Sequence, residues 1–200
     1  MAILVSGGAG YIGSHTCIEL LNAGYDIVVA DNFYNSCPVV LDRIKQITGK
    51  DFRFYAADMT RAGDVEHIFS ECPDITAVIQ FAAYKAVGES VHKPIEYYSN
   101  NLNCTLTILD VMRRHDCHSF VFSSSATVYG DPASVPITEE FPTGNTTNPY
   151  GTTKVFTERI LTDVCKADPS LNVAVLRYFN PIGAHKSGLI GEDPNGIPNN

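Results

Sequence analysis

Six short runs in this 200-residue chain are almost continuously apolar: AILVS (2–6), DIVVAD (26–31), FRFYAAD (52–58), TAVIQFAA (76–83), SFVFSSS (119–125) and NVAVLRYF (172–179). Runs apolar on both faces suit strands of a sheet that is covered on each side. Between them lie stretches of helical period at 11–23, 38–48, 61–71, 94–115 and 149–167. Gly24 and Gly49 stand where helices stop, and Pro94 and Pro149 where they start. Strands joined through helices run parallel. The expected fold is therefore α/β, a doubly wound parallel sheet of six strands.

Ligands of such sheets bind outside the C-terminal ends of the strands. The first strand runs into GGAGYIGSH, which places Gly7-x-x-Gly10-x-x-Gly13 at the head of a helix. Gly7 permits the sharp turn, Gly10 lets the backbone approach a pyrophosphate, and Gly13 lets the helix lie close on the sheet. Asp31 ends the second strand, 18 residues beyond Gly13. A carboxylate there accepts from ribose hydroxyls and repels a 2′-phosphate, so NAD is expected rather than NADP. Asp58 closes the third strand and is read either as an acceptor for adenine or as a helix N-cap. FAAYKAVGES leaves the fourth strand with small residues and then Lys85, and SSSATVYG leaves the fifth with hydroxyls. In NPYGTTK, Tyr150 and Lys154 are four positions apart and share a helix face. A cation beside a phenol favours the phenolate and lowers its pKa from about 10, which suits a general base acting on an alcohol. Two long connections, 126–148 and everything after 179, follow strand ends and are expected to be functional.

With 44% hydrophobic and 18% charged residues the composition is that of a globular protein, one large domain or one domain and the beginning of a second. Fourteen basic residues against 22 acidic give a net charge of −8, which argues against a nucleic-acid or membrane-surface partner. The six cysteines are scattered without a C-x-x-C and read as reduced thiols. The N-terminus enters MAILVSGG directly and no run has the length of a membrane span, so a soluble, cytoplasmic protein is expected. No H-x-x-x-H or Cys pairing suggests a metal, and no G-x-S-x-G suggests a hydrolase.

Taken together, VSGGAGYIGSHT, KAVGESVHKPIEYYSNN, FSSSATVYGD, PYGTTK and RYFNPIGAHKSGLIGEDPNGIPNN resemble the extended short-chain dehydrogenase/reductase family, and its nucleotide-sugar epimerases in particular. The resemblance implies an NAD-dependent isomerase that interconverts UDP-glucose and UDP-galactose by transient oxidation at sugar C4. It makes Tyr150 the proton acceptor, Lys154 its partner and a ligand of the nicotinamide ribose, and Ser125 a hydrogen-bonding partner of the reacting hydroxyl. Tyr11 and Ile12 would lie over the pyrophosphate, and Asp31, Asn32, Phe33, Tyr34, Asn35 and Ser36 around the adenosine ribose. Asp58 and Met59 would contact adenine, Phe81, Ala82, Ala83, Tyr84 and Lys85 would border the cofactor, and Asn100 and Phe179 would complete its site. Asn180 and Asn200 would face the UDP-sugar, with Lys85, Ser125 and Tyr150 reaching it as well. Dehydratases of the same scaffold carry an Asp-Glu pair after the strand-end hydroxyl. Here that place holds Ala126-Thr127-Val128, so dehydration is not expected. Another nucleotide-sugar epimerase or decarboxylase, such as one acting on UDP-uronates, and a non-catalytic NAD-binding protein are the alternatives. Family members continue beyond this length and form homodimers. Residues 1–180 are thus expected to form the NAD-binding Rossmann domain and 181–200 to begin the UDP-sugar region. The 200-residue chain by itself is expected to bind NAD weakly at best and not to turn over.

Overall fold

The computed structural model describes residues 1–194. Six strands form one sheet: β1 (Ala2–Ser6), β2 (Asp26–Asp31), β3 (Arg53–Ala56), β4 (Ile75–Gln80), β5 (Ser119–Ser125) and β6 (Asn172–Tyr178). The helices between them are α1 (Tyr11–Asn22), α2 (Val39–Thr48), α3 (Ala62–Glu71), α4 (Val87–His92), α5 (Pro94–Arg114) and α6 (Pro149–Ala167). The spatial order is β3-β2-β1-β4-β5-β6 and every neighbouring pair is parallel. The winding reverses between β1 and β4, so a crevice opens above their C-terminal ends.

Successive residues of a strand point to opposite faces, and β1 and β2 use this to build two cores. Leu4 and Val28 join Val78, Phe120 and Phe122 against Ile68 of α3, Ile108 and Met112 of α5, and Leu161 of α6. Val5 and Val29 face the other way, onto Ile18 and Leu21 of α1, Ile44 of α2, and Ile190. Coverage of both faces holds for these inner strands but not for β6, an edge strand on which Val175 and Leu176 are exposed.

Helix boundaries follow the local chemistry. Asn148 caps α6 by accepting from Gly151 N at 2.8 Å, with Pro149 in the first turn where its missing N–H costs nothing. Gly49, left-handed at φ 67°, closes α2. The fourth strand ends at Gln80, short of the expected Ala83. Phe81 N and Ala82 N both donate to the Ser6 carbonyl, at 2.8 and 3.1 Å, and the ladder stops there. The third strand is likewise shorter than its apolar run. Helix α4 was not expected, because six residues are too few for a helical period to show. The connection 126–148 begins with a 3-10 turn, Ala126–Tyr129. Beyond β6 the chain returns over the crevice. Tyr11 Oη donates to Gly183 O at 2.6 Å, Ile190 is buried beside α1, and Lys85 pairs with Glu192 at 2.6 Å. Among the described residues no helix is long and apolar enough to cross a membrane.

The turn after β1 has no room for side chains. Gly7 has φ 76°, and a Cβ there would lie 2.6 Å from Ala82 N. A Cβ on Gly13 would lie 2.2 Å from Gly7 O and 2.8 Å from Gly8 Cα, both rigid backbone. Gly63, in α3, meets nothing within 4 Å. Gly13→Ala is therefore expected to lose about 1–3 kcal/mol through overpacking. Gly63→Ala is expected to gain about 0.4–1 kcal/mol through the unfolded chain's lost freedom. Urea denaturation of the two variants checks both signs.

Candidate active site

The crevice at the strand ends is a cleft of ≈ 360 Å³. Gly7, Gly10, Tyr11, Ile12 and Gly13 line it from the first turn, and Asp31, Asn32, Tyr34, Asn35, Ser36, Asp58 and Met59 from the ends of β2 and β3. Phe81, Ala82, Ala83, Tyr84 and Lys85 line it after β4, with Asn100 on α5. Ser125, Tyr150, Lys154, Phe179 and Asn180 close its other side. Phe33 does not line it: its backbone takes φ 57° and its ring packs on Phe54 at 5.3 Å, away from the cleft. Asn200 lies outside the described residues.

At the head of α1 the backbone is bare on the cleft side. A Cβ on Gly10 would meet only Gly7 O, at 3.3 Å, while the helix N-terminus contributes partial positive charge. That is the shape and polarity of an anion cradle. Asp31, buried at the end of β2, organises the loops on both sides of it. Oδ2 accepts from Ala9 N at 3.0 Å, and Oδ1 accepts from Phe33 N and Ser36 Oγ, each at 2.9 Å. Asp58 lines the cleft but is not the helix N-cap, the alternative to an adenine contact. Oδ1 accepts from Thr60 N at 2.9 Å and Thr60 Oγ1 at 2.7 Å, and the N-cap position of α3 belongs to Arg61.

On the opposite wall, α6 brings Tyr150 and Lys154 together at the end of β5. Ser125 Oγ accepts from Thr127 N at 3.2 Å and Thr127 Oγ1 at 3.0 Å, which starts the 3-10 turn and leaves the hydroxyl at the cleft. Lys154 is buried; Nζ donates to the Ser123 carbonyl at 2.6 Å and lies 4.8 Å from the Phe122 ring centre and 5.6 Å from that of Tyr150. Burial pushes the Lys154 ammonium down to about 8. Burial also raises the Tyr150 phenol, with the Ser125 hydroxyl working the other way. The expected lowering of the phenol by its lysine is thus not the balance found here. The two groups share a volume, but burial raises the phenol and the ammonium is turned to a carbonyl.

Asn101 is a residue whose part the sequence did not disclose. Its amide accepts from Tyr84 N at 2.8 Å and donates to Tyr84 O at 3.0 Å and Thr153 Oγ1 at 3.1 Å. It ties the loop after β4 to α6, two segments that both line the cleft. Its neighbour Asn100 lines the cleft directly, and the two adjacent asparagines in YYSNN carry no mark that separates their parts. Thr127 and Tyr178 also line the cleft without having been singled out. Among the described residues no group of three or more His, Cys, Asp or Glu side chains is placed to hold a metal ion.

The sequence profile of the NAD dependent epimerase/dehydratase family matches residues 3–195. The UDP-glucose 4-epimerase of Haemophilus influenzae is 60% identical over all 200 residues, which correspond to 59% of that protein. That of Bacillus subtilis is also 60% identical over 200 residues, 58% of its length. Among solved structures, UDP-glucose 4-epimerase from Bifidobacterium longum in complex with NAD+ and UDP superimposes with a TM-score of 0.97 at 59% identity, over 100% of this chain and 59% of that one. The enzyme from Stenotrophomonas maltophila, with bound NAD and formylated UDP-arabinopyranose, gives 0.95 at 44% identity over the same shares. The chain thus spans a little under three fifths of the length of these relatives. With the glycine turn, the strand-end serine and the Tyr-x-x-x-Lys helix meeting in one cleft, and a family profile covering nearly all of it, the chain belongs to the NAD dependent epimerase/dehydratase family.

Proposed function

We propose that this chain carries the NAD-binding and proton-transfer part of an enzyme that interconverts UDP-glucose and UDP-galactose. The observation that carries the reading is one cleft with an anion cradle at Gly10 on one side and Ser125, Tyr150 and Lys154 on the other. The residues fit NAD: the bare backbone at Gly10 admits a pyrophosphate, and Asp31 lines the cleft at the end of β2 where an adenosine ribose belongs. Asp31 also makes the site hostile to a 2′-phosphate. When bound, NAD supplies a reversible hydride acceptor beside the sugar.

Every other step belongs to the chain. Tyr150 takes the proton of the sugar 4-hydroxyl and later returns it, while Ser125 holds that hydroxyl in line. Lys154, with its pKa near 8, keeps most of its charge at neutral pH and favours the phenolate when its amine turns towards the cofactor ribose. The absence of a carboxylate at Ala126, Thr127 and Val128 supports epimerisation over elimination. Lys85, Asn180 and Asn200 are proposed to face the UDP-sugar, and residues 181–200 to open the region that grips it. The whole protein is proposed to be a homodimer, supported by Ile95, Leu106 and Phe156 left exposed on the paired helices α5 and α6.

In the complete protein, Tyr150→Phe is expected to lower kcat by about 10²–10⁴-fold with NAD affinity kept, since only the acid/base oxygen is lost. Turnover within a few-fold of the parent removes Tyr150 from the chemistry. Nicotinamide fluorescence after addition of UDP-galactose tests the reading itself, because transient reduction appears only if the sugar is oxidised. Asp31→Ala is expected to weaken NAD and to narrow the preference over NADP in calorimetric titrations. An unchanged ratio of the two affinities makes Asp31 only a loop organiser.

A stability prediction follows from Lys154 without any ligand. Its folded pKa of about 8 lies below the ordinary 10.5. Between those values the unfolded chain holds the extra proton, so stability rises with pH by up to about 1.4 kcal/mol per unit. Below pH 8 the cost of the buried charge is fully present. The difference in stability between the parent and Lys154→Met is therefore expected to move in favour of the parent from pH 8 to 10.5. Parallel denaturation curves across that window show it, and a constant difference means that Lys154 titrates normally.

A further inference from the structure

Glu158 follows Lys154 by four residues on α6, so the two side chains share a helix face. Its carboxylate makes three hydrogen bonds to other strands. Oε1 accepts from Ser124 Oγ at 2.5 Å and from Arg177 Nε at 3.0 Å, and Oε2 from Arg177 Nη2 at 2.8 Å. Arg177 Nη1 then donates to Tyr129 Oη at 2.9 Å and to Glu139 O at 3.4 Å, with the guanidinium 5.0 Å from the Tyr129 ring centre. The ion pair is largely buried, with side chains 14% and 22% exposed for Glu158 and Arg177. Ser124 precedes Ser125, and Tyr129 ends the 3-10 turn that leaves it. Arg177 lies one residue before Tyr178, which lines the cleft. The network therefore grips the chain on both sides of Ser125 and ties it to the helix that carries Tyr150 and Lys154.

A buried pair of this kind contributes little net stability compared with apolar packing, but it holds geometry closely. We infer that Glu158 and Arg177 are positioning residues for the proposed chemistry: the pair sets Ser125 relative to Tyr150 and Lys154, and Glu158 provides Lys154 with a carboxylate whose charge Arg177 offsets. The inference rests on the roles proposed above for Ser125, Tyr150 and Lys154. Around the Lys154 amine are the Ser123 carbonyl and Phe122 ring of β5, Cys104 from α5, and Tyr150 and Glu158 on its own helix. Of these, Cys104 and the Glu158 carboxylate favour the ammonium against the burial that opposes it. Arg177, paired with that carboxylate at 2.8 Å, carries the opposite charge.

The two halves of the pair then act on Lys154 in opposite directions. Glu158→Gln removes an anion and is expected to lower the Lys154 titration midpoint by about one pH unit, whereas Arg177→Gln removes a cation and should raise it by a similar amount. Both break the Glu158–Arg177 pair, so a purely structural role for that pair moves the midpoint in one direction for both or not at all. The probe is the NMR titration of lysine carrying a 13C label at Cε, with the Lys154 signal assigned by its absence in Lys154→Met. In the complete protein each variant is expected to lower kcat by about 10- to 100-fold, with KM changed by about twofold or less, because orientation rather than binding is lost. Glu158→Gln/Arg177→Gln should return the midpoint towards the parent while kcat stays low. If Glu158→Gln does not fold, Arg177→Gln and the double variant decide the matter. Midpoints that shift together, or stay fixed in the variants that fold, overturn the inference. Failure of the underlying reading is distinct: Tyr150→Phe would then keep its turnover whatever Lys154 does.

Discussion

The Ser6 carbonyl accepts two backbone N–H groups, from Phe81 and Ala82, and the residue after it is a glycine against which Ala82 packs at a distance no side chain tolerates. This backbone junction at the ends of β1 and β4 is the constraint on which the rest of the molecule depends. Gly13 lets the first turn of α1 rest on Gly7 and Gly8, so the helix N-terminus comes to the lip of the crevice rather than to one side. The loop after β4 is turned across the opening, where Asn101 holds it to α6. A Cβ at either glycine would push these two walls apart, and the anion cradle with them.

The opposite wall is organised by polar groups removed from water. Lys154 donates to the Ser123 carbonyl and otherwise lies against two aromatic rings, so its charge is costly. Glu158, Arg177, Ser124 and Tyr129 satisfy one another a turn further along. Such a network is rigid because every broken bond leaves a buried group without a partner. Stability given up at Lys154 and geometry held by the pair behind it are two parts of one arrangement. A phenol and a serine hydroxyl are presented at the cleft beside a buried cation whose pKa burial brings down to about 8.

Much of this was legible in the order of residues. Two-sided apolar runs separated by helical stretches leave few folds besides a parallel sheet, since period and length are local properties of the chain. The glycine spacing, the carboxylate ending β2 and the Tyr-x-x-x-Lys step are local as well: each places its groups through one turn or one helix face. For the same reason the strand ends were read too long at residues 57–58 and 81–83, because apolar character does not reveal where a neighbouring carbonyl runs out of hydrogen bonds. Phe33 is expected with its neighbours around the adenosine ribose, but with its left-handed backbone and its ring on Phe54 it is not among the residues lining the cleft.

What only tertiary structure decided are relations between distant segments. Asn101 and Asn100 are alike in sequence, yet one clamps Tyr84 to Thr153 and the other lines the cleft. Glu158 and Arg177 are 19 residues apart and belong to different elements, so nothing local pairs them. The protonation balance at Tyr150 and Lys154 was misjudged from spacing alone. Four residues on a helix place two groups on one face, whereas their pKa values depend on how much water the surrounding strands exclude, and that is a property of the packed fold.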